Sequence, residues 1–212
     1  MRSEGARWVV ASVAFFSMLG IALGLGFAMC EAGHCAVPAL DRASAVLADR
    51  WRHPGLDVAM QVVTAFGSIA VLLPASVAVG AWMRWHGAPV LTSCFVPLAV
   101  LGAWTVSWLA KLLVARPRPD AFEPLIAMPV DLSYPSAHAM QFAAFAAACA
   151  LRPGGAPTWR VLGLAAALAA LVGGTRIYLQ VHYLTDVLAG LAAAALWVVA
   201  LRSLPIWRGR LA

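Results

Sequence analysis

Apolar residues gather along the chain in six long runs, 8–29, 67–83, 91–114, 137–151, 159–178 and 183–201, separated by shorter polar connections. Each approaches the roughly 20 residues that a helix needs to cross a bilayer, and the fourth, the shortest, is stopped by Pro153-Gly154-Gly155. The expected architecture is all-α: a polytopic membrane protein with six transmembrane helices, forming one integral membrane domain over residues 1–212. The first run follows Arg2 and Arg7 but ends in Met29-Cys30-Glu31 rather than in a small-residue cleavage site, so it reads as a retained helix and not a leader. Between the first two runs, Val37, Leu40, Val46 and Leu47 recur at helical spacing among Asp41, Arg42, Asp49 and Arg50, the pattern of a short helix lying on the membrane surface. Residues 56–66 are apolar apart from Asp57 and Gln61, and joined to the second run they are too long to cross straight. Two routes fit: an approach along the interface with a turn at Gly67, or a tilted helix kinked at Pro74. Gly20 and Gly24 form a Gly-x-x-x-Gly pair, which can seat a neighbouring helix of the same molecule, the first expectation, or a second protomer. The third run breaks at Arg116-Pro117-Arg118-Pro119, where two prolines end the helix.

Composition strengthens the membrane reading: 63% of the 212 residues are hydrophobic and 11% charged, with a mean hydropathy of +0.84. The net charge of +6 would suggest nucleic acid in a soluble protein, but here the basic residues are spread between apolar runs and no nucleic-acid partner is expected. Six crossings put Arg2, Arg7, Arg84, Arg152, Arg160, Arg202, Arg208 and Arg210 on the side of the N-terminus, with Glu4 as the one acid there. The opposite side takes every other acid and, apart from three cations discussed below, only Arg42, Arg50, Arg52 and Arg116. By the positive-inside rule both termini are cytoplasmic. Cys30 and Cys35 then face outward, as a disulfide or as two free thiols, while Cys94 and Cys149 fall inside runs as packing residues.

Against this apolar background the polar residues near the run ends stand out. If a helix starts near His182, Asp186 lies one turn on and can hold its ring. Arg176 lies just upstream, and Ser136 can cap the fourth helix ahead of His138. Alternating crossings bring Lys111, Arg118, Ser136, His138, Arg176, His182 and Asp186 to one membrane face. Three cations, a helix N-terminus and two histidines without an acidic cluster suit a tetrahedral oxyanion such as phosphate. Taken singly, Lys111 reads as a snorkelling lysine and Trp104 and Trp108 as an aromatic belt. His34, His53 and His86 lie in connections without partners, and Tyr134, Tyr178 and Tyr183 read as interface aromatics.

The order and spacing of these residues carry a resemblance. Lys111 followed by Arg118-Pro119, then Pro135-Ser136-Ala137-His138, then Arg176, His182 and Asp186 is similar to the three-part signature of the type 2 phosphatidic acid phosphatase family, whose fold is shared with vanadium haloperoxidases. Two positions depart from it: Ala137 stands where the family usually has Gly, and Thr175 where it usually has Ser. The doubled Arg-Pro leaves a register choice, and Arg118 gives the family spacing. The resemblance implies that His182 attacks phosphorus to form a phosphohistidine, that Asp186 orients its ring, and that His138 protonates the leaving oxygen and later activates water. It further implies that Lys111, Arg118, Ser136, Ala137 and Arg176 surround the phosphate, and that neither cofactor nor metal is required. The implied partners are a lipid phosphate substrate and the surrounding membrane lipids, with oligomeric state left open. The implied location is a bacterial inner membrane, with the site facing the periplasm or cell exterior. Undecaprenyl diphosphate is the first substrate expected, ahead of phosphatidylglycerophosphate, phosphatidate and a lipid A phosphate. A lipid-phosphate binder or flippase using the same anion site is the alternative of another class.

Overall fold

The computed structural model describes residues 2–31 and 34–208; Arg210, assigned above to the N-terminal side, lies outside them. α1 (Arg2–Leu19) continues through a six-residue π-helical stretch, Gly20–Leu25, into α2 (Gly26–Met29). A two-residue hairpin pairs Cys30 with Cys35, which are joined by a disulfide. There follow α3 (Ala39–Arg50), α4 (Pro54–Ala65), α5 (Ile69–Trp85), the single turn α6 (Val90–Ser93), α7 (Phe95–Val114), α8 (Ala137–Ala150), α9 (Trp159–Tyr178) and α10 (Leu184–Ser203). A 3-10 turn, Pro205–Arg208, follows α10.

α8 is the centre of the bundle, packed on α7, α9 and α10, while α10 also carries α1 along its side. The contact surfaces are built from small residues: Ala99, Ala103, Ala139, Ala144, Ala148, Ala193 and Ala194 are wholly buried. In a membrane, where lipid tails are as apolar as leucine, such close backbone approach supplies the packing that holds helices together. The outward faces carry Val9, Val13, Phe16, Leu112, Leu113 and Leu164, all exposed, as expected of surfaces meant for lipid.

Among the described residues four helices are by themselves long and apolar enough to cross a membrane, or five if the bent pair α4–α5 counts as one span. The six expected crossings are thus reached only if α8 is counted too. Its 14 residues make a rod of about 21 Å, short of the roughly 30 Å hydrocarbon core. The chain enters the bundle before this helix begins, since Ser133, Tyr134 and Ser136 are all fully buried.

The α4–α5 junction bends by 50° around 66–68, so the turn falls at Gly67, and Pro74 sits inside α5. Gly20 and Gly24 seat no helix of this molecule: a side chain at either would meet nothing within 4 Å. In this span the packing glycine is Gly26, where a Cβ would come within 2.5 Å of Val114 and 2.8 Å of the Tyr134 ring. The intervening π-helical stretch rotates the face of the span, and the Tyr134 hydroxyl donates to Ile21 O at 2.5 Å within it. Tyr134 is therefore a buried structural residue rather than an interface aromatic. α3 is a short helix as expected, but Asp41 is turned into the protein and buried, while Leu40, Leu47, Arg42 and Arg50 are exposed. Cys149 is half-buried and Cys94, expected to pack, is exposed.

Candidate active site

The site is assembled where three chain reversals meet. α7 stops at Val114, and Ala115 takes a left-handed conformation (φ 55°) before the two Arg-Pro pairs carry the chain away. Lys111, in the last turn, is not at the interface but buried, its ammonium donating to Leu132 O and Ser133 O and pairing with Asp131 at 3.2 Å. Arg118 donates to Asp131 O at 2.8 Å and to its carboxylate, to Val181 O at 2.6 Å, and to Nε2 of His182 at 3.1 Å. Asp131 thus ties the two cations of the first motif together. Burial would raise its carboxyl, but Lys111 and Arg118 outweigh this and hold it below the usual range.

The second reversal joins α9 to α10. Gln180 adopts positive φ (58°), and Asp186, in the first turn of α10, accepts from the Tyr183 N-H at 3.0 Å, where a helix N-terminus favours a carboxylate. The same Oδ2 faces Nδ1 of His182 at 3.3 Å and accepts from the Ser133 hydroxyl at 2.5 Å. A guanidinium can only donate, so Nε2 opposite Arg118 must carry the lone pair, and the ring proton belongs on Nδ1 facing Asp186. Burial first, then the nearby Arg118 and Lys111, hold the imidazole well below its ordinary value, so it is neutral.

The third reversal delivers Ser133 to Ser136. Ser136 N-H donates to Asp186 O at 3.0 Å, joining this segment to α10. The Ser136 hydroxyl and Nε of Arg176 are both buried without a hydrogen-bond partner, an arrangement that costs about 1–3 kcal/mol for each group unless a ligand meets it. Arg176 is otherwise held by Thr64 at 2.7 Å, from α4 just before its bend. His138 lies against Gly67, where a Cβ would come within 2.9 Å of the histidine's own Cβ. Its strongest electrostatic neighbours are Arg176 and then Arg118. Ala137 opens α8 half-buried.

All eight residues singled out in the sequence therefore fall in this one region, with His182 linked directly to Arg118 and Asp186, and Lys111 to Arg118 through Asp131. Five participants are not marked in the sequence. Asp131 and Ser133 lie in a loop that reads only as polar; Thr64 lies in a helix with no visible partner; Arg116 groups with the outward basic residues; and Asp41 reads as part of a surface helix. Arg116 is fully buried, bonded to Asp186 at 2.6 Å and to Asp41 at 2.9 Å. The two arginines of the doubled Arg-Pro thus take different partners: Arg118 meets the His182 imidazole and Arg116 the Asp186 carboxylate.

The PAP2 superfamily profile matches residues 90–210, which include every residue of the cluster except Thr64 and Asp41. Phosphatidylglycerophosphatase B of Bacillus subtilis (strain 168) is 34% identical over 175 residues, 76% of this chain and 81% of that protein. A solved structure described as the first transmembrane PAP2 type phosphatidylglycerolphosphate phosphatase from Bacillus subtilis superposes with a TM-score of 0.75 at 25% identity, covering 95% of this chain and 98% of that one. The structure of Aquifex aeolicus LpxE shares the fold, with a TM-score of 0.60 at 22% identity over 76% of this chain and 94% of its own. With the profile spanning more than half the chain and the apolar helices built around this cluster, the chain belongs to the PAP2 superfamily as a multi-pass membrane lipid phosphatase.

Proposed function

We propose that this cluster hydrolyses lipid phosphates through a covalent phosphohistidine, with phosphatidylglycerophosphate as the first candidate substrate. One observation carries the mechanism: Nε2 of His182 faces the Arg118 guanidinium and Nδ1 faces the Asp186 carboxylate, which leaves the lone pair on Nε2 while Nδ1–H donates to Asp186. Nε2 attacks phosphorus as the bond to the leaving oxygen breaks, and His138, entering the step as the imidazolium beside the phosphate dianion, gives that oxygen its proton and becomes neutral. Water then attacks the phosphohistidine, returning a proton to His138 as the phosphorus–nitrogen bond breaks and inorganic phosphate forms. Lys111, Arg118 and Arg176, with the Ser136 hydroxyl and the first N-H groups of α8 at Ala137, neutralise the equatorial oxygens. The fixed cations do the work a metal would otherwise do.

The similarity to phosphatidylglycerophosphatase B supports a phosphomonoester lipid, and shifts the first substrate away from the undecaprenyl diphosphate expected from the sequence. We place the site at the outer face of a bacterial inner membrane, with both termini cytoplasmic and six crossings that count α4–α5 as one and include α8. The basic residues on the other face, Arg84, Arg152, Arg160 and Arg202, support that orientation.

The test is phosphate release by the purified protein in detergent with EDTA, from phosphatidylglycerophosphate, phosphatidate and undecaprenyl diphosphate, beside His182→Ala. Turnover that withstands EDTA and is lost in the variant is the expected result, fastest on phosphatidylglycerophosphate. Lipid binding without release from any of the three would overturn the catalytic reading in favour of a binder or flippase.

A further inference from the structure

Asp186 is not held by its histidine alone. Its Oδ1 takes Nη1 of Arg116 at 2.6 Å, leaving Oδ2 for Ser133, Tyr183 N-H and His182. Arg116 in turn gives Nη2 to Asp41 at 2.9 Å and to Ala36 O at 3.2 Å, and Nη1 also reaches the Thr185 hydroxyl at 2.8 Å. Its guanidinium lies over the Tyr183 ring, 4.1 Å from the centroid. Asp41 completes the chain by accepting from Thr185 N-H at 2.8 Å and from the Thr185 hydroxyl at 2.7 Å, in the first turn of α10. Both side chains of the Arg116–Asp41 pair and that of Asp186 have no exposure at all.

The charges explain why two acids are present. A buried guanidinium bonded to Asp186 alone would cancel the negative charge that Asp186 offers the imidazole. With Asp41 on its other edge, Arg116 is shared, and the trio keeps one net negative charge beside His182. Phosphorylation at Nε2 leaves the ring cationic, with its proton on Nδ1, and that cation is what the residual charge can stabilise. Burying three charges is expensive and is tolerated where the hydrogen bonds around them are nearly complete. Here the exception is Nε of Arg116.

Building on the phosphohistidine reading, we propose that Arg116 and Asp41 are positioning residues for the reaction: they orient Asp186 toward Nδ1 of His182 and supply the second negative charge that keeps it an effective partner. Neither touches the phosphate. α3, which the sequence alone assigns to the membrane surface, is through Asp41 part of the catalytic apparatus.

The test compares Asp41→Asn and Arg116→Gln with the wild type on the lipid that the wild type hydrolyses. kcat and KM are measured beside the fraction of sites that bind orthovanadate, and the amount of acid-labile phosphoenzyme is followed after rapid mixing. Loss of a charged hydrogen bond acting on the reaction is expected to lower kcat per vanadate-binding site by about ten- to a hundredfold, with KM little changed and slower formation of phosphoenzyme. Asp41→Asn keeps the size of the side chain and decides the matter if Arg116→Gln cannot be recovered folded. A full kcat per vanadate-binding site in Asp41→Asn, with only fewer sites, would overturn the proposal and make the network a structural staple. That failure is distinct from failure of the underlying reading, which would show as turnover surviving in His182→Ala.

Discussion

At the scale of single residues, the pH behaviour of His182 follows from its surroundings. Its folded value lies well below the ordinary 6.5 because burial, Arg118 and Lys111 oppose protonation. The unfolded chain therefore binds a proton that the native state refuses, so the stability linked to this group is present above about 6.5 and declines as pH falls below it. Asp131, also depressed, adds a loss only below its ordinary 3.8, and a small one because its side chain is half exposed. Thermal unfolding in detergent should thus be level across neutral pH and fall in mildly acidic buffer, and His182→Gln should reduce that fall. Asp131 also competes for the two cations that a phosphate would occupy, so Asp131→Asn should tighten inhibition by inorganic phosphate severalfold, read as a lower inhibition constant. The residues of the three motifs were legible because their spacing is local: His182 and Asp186 are one turn apart, and Lys111 and Arg118 close one helix. Arg116 and Asp41 were not, since Arg116 lies 75 positions from Asp41 and 70 from Asp186 and nothing in the sequence distinguishes a buried arginine from an interfacial one.

Among the elements, the helices were legible from run length, and their ends from Pro and Gly. The π-helical stretch in the first span was not, because it answers to Tyr134 and Val114, which belong to other parts of the chain. The α4–α5 bend was readable as one of two routes; the close approach of His138 to Gly67 shows why the turn falls there and not at Pro74. A Cβ at 67 would meet His138 and Val172 at 2.9 Å. Because both neighbours sit in packed helices, Gly67→Val should cost about 1–3 kcal/mol of stability from overpacking. It should also lower kcat more than KM by displacing His138, which steady-state kinetics at a temperature where the variant is folded would check. A variant with normal kcat would show that α4–α5 can move aside.

For the molecule as a whole, the apolar composition and charge asymmetry indicate a membrane bundle and the run lengths mark the fourth helix as the shortest span, yet nothing in the sequence places that helix at the centre. None of the described residues of α8 is exposed, so lipid does not set its length. The column at the middle of the bundle ends early, and non-helical chain from Ser133 to Ser136 fills the remaining depth. Irregular backbone at such depth is tolerated only when enclosed by protein. On the proposed six-crossing arrangement the consequence concerns the bilayer rather than the bundle: a head group would have to leave its own plane and sink to reach the site, against the elastic resistance of the membrane around it. Thinner membranes reduce that descent. Reconstituted into vesicles of short-chain and long-chain phosphatidylcholine, the enzyme should turn over the same substrate faster in the thinner bilayer, making membrane thickness a control on its rate.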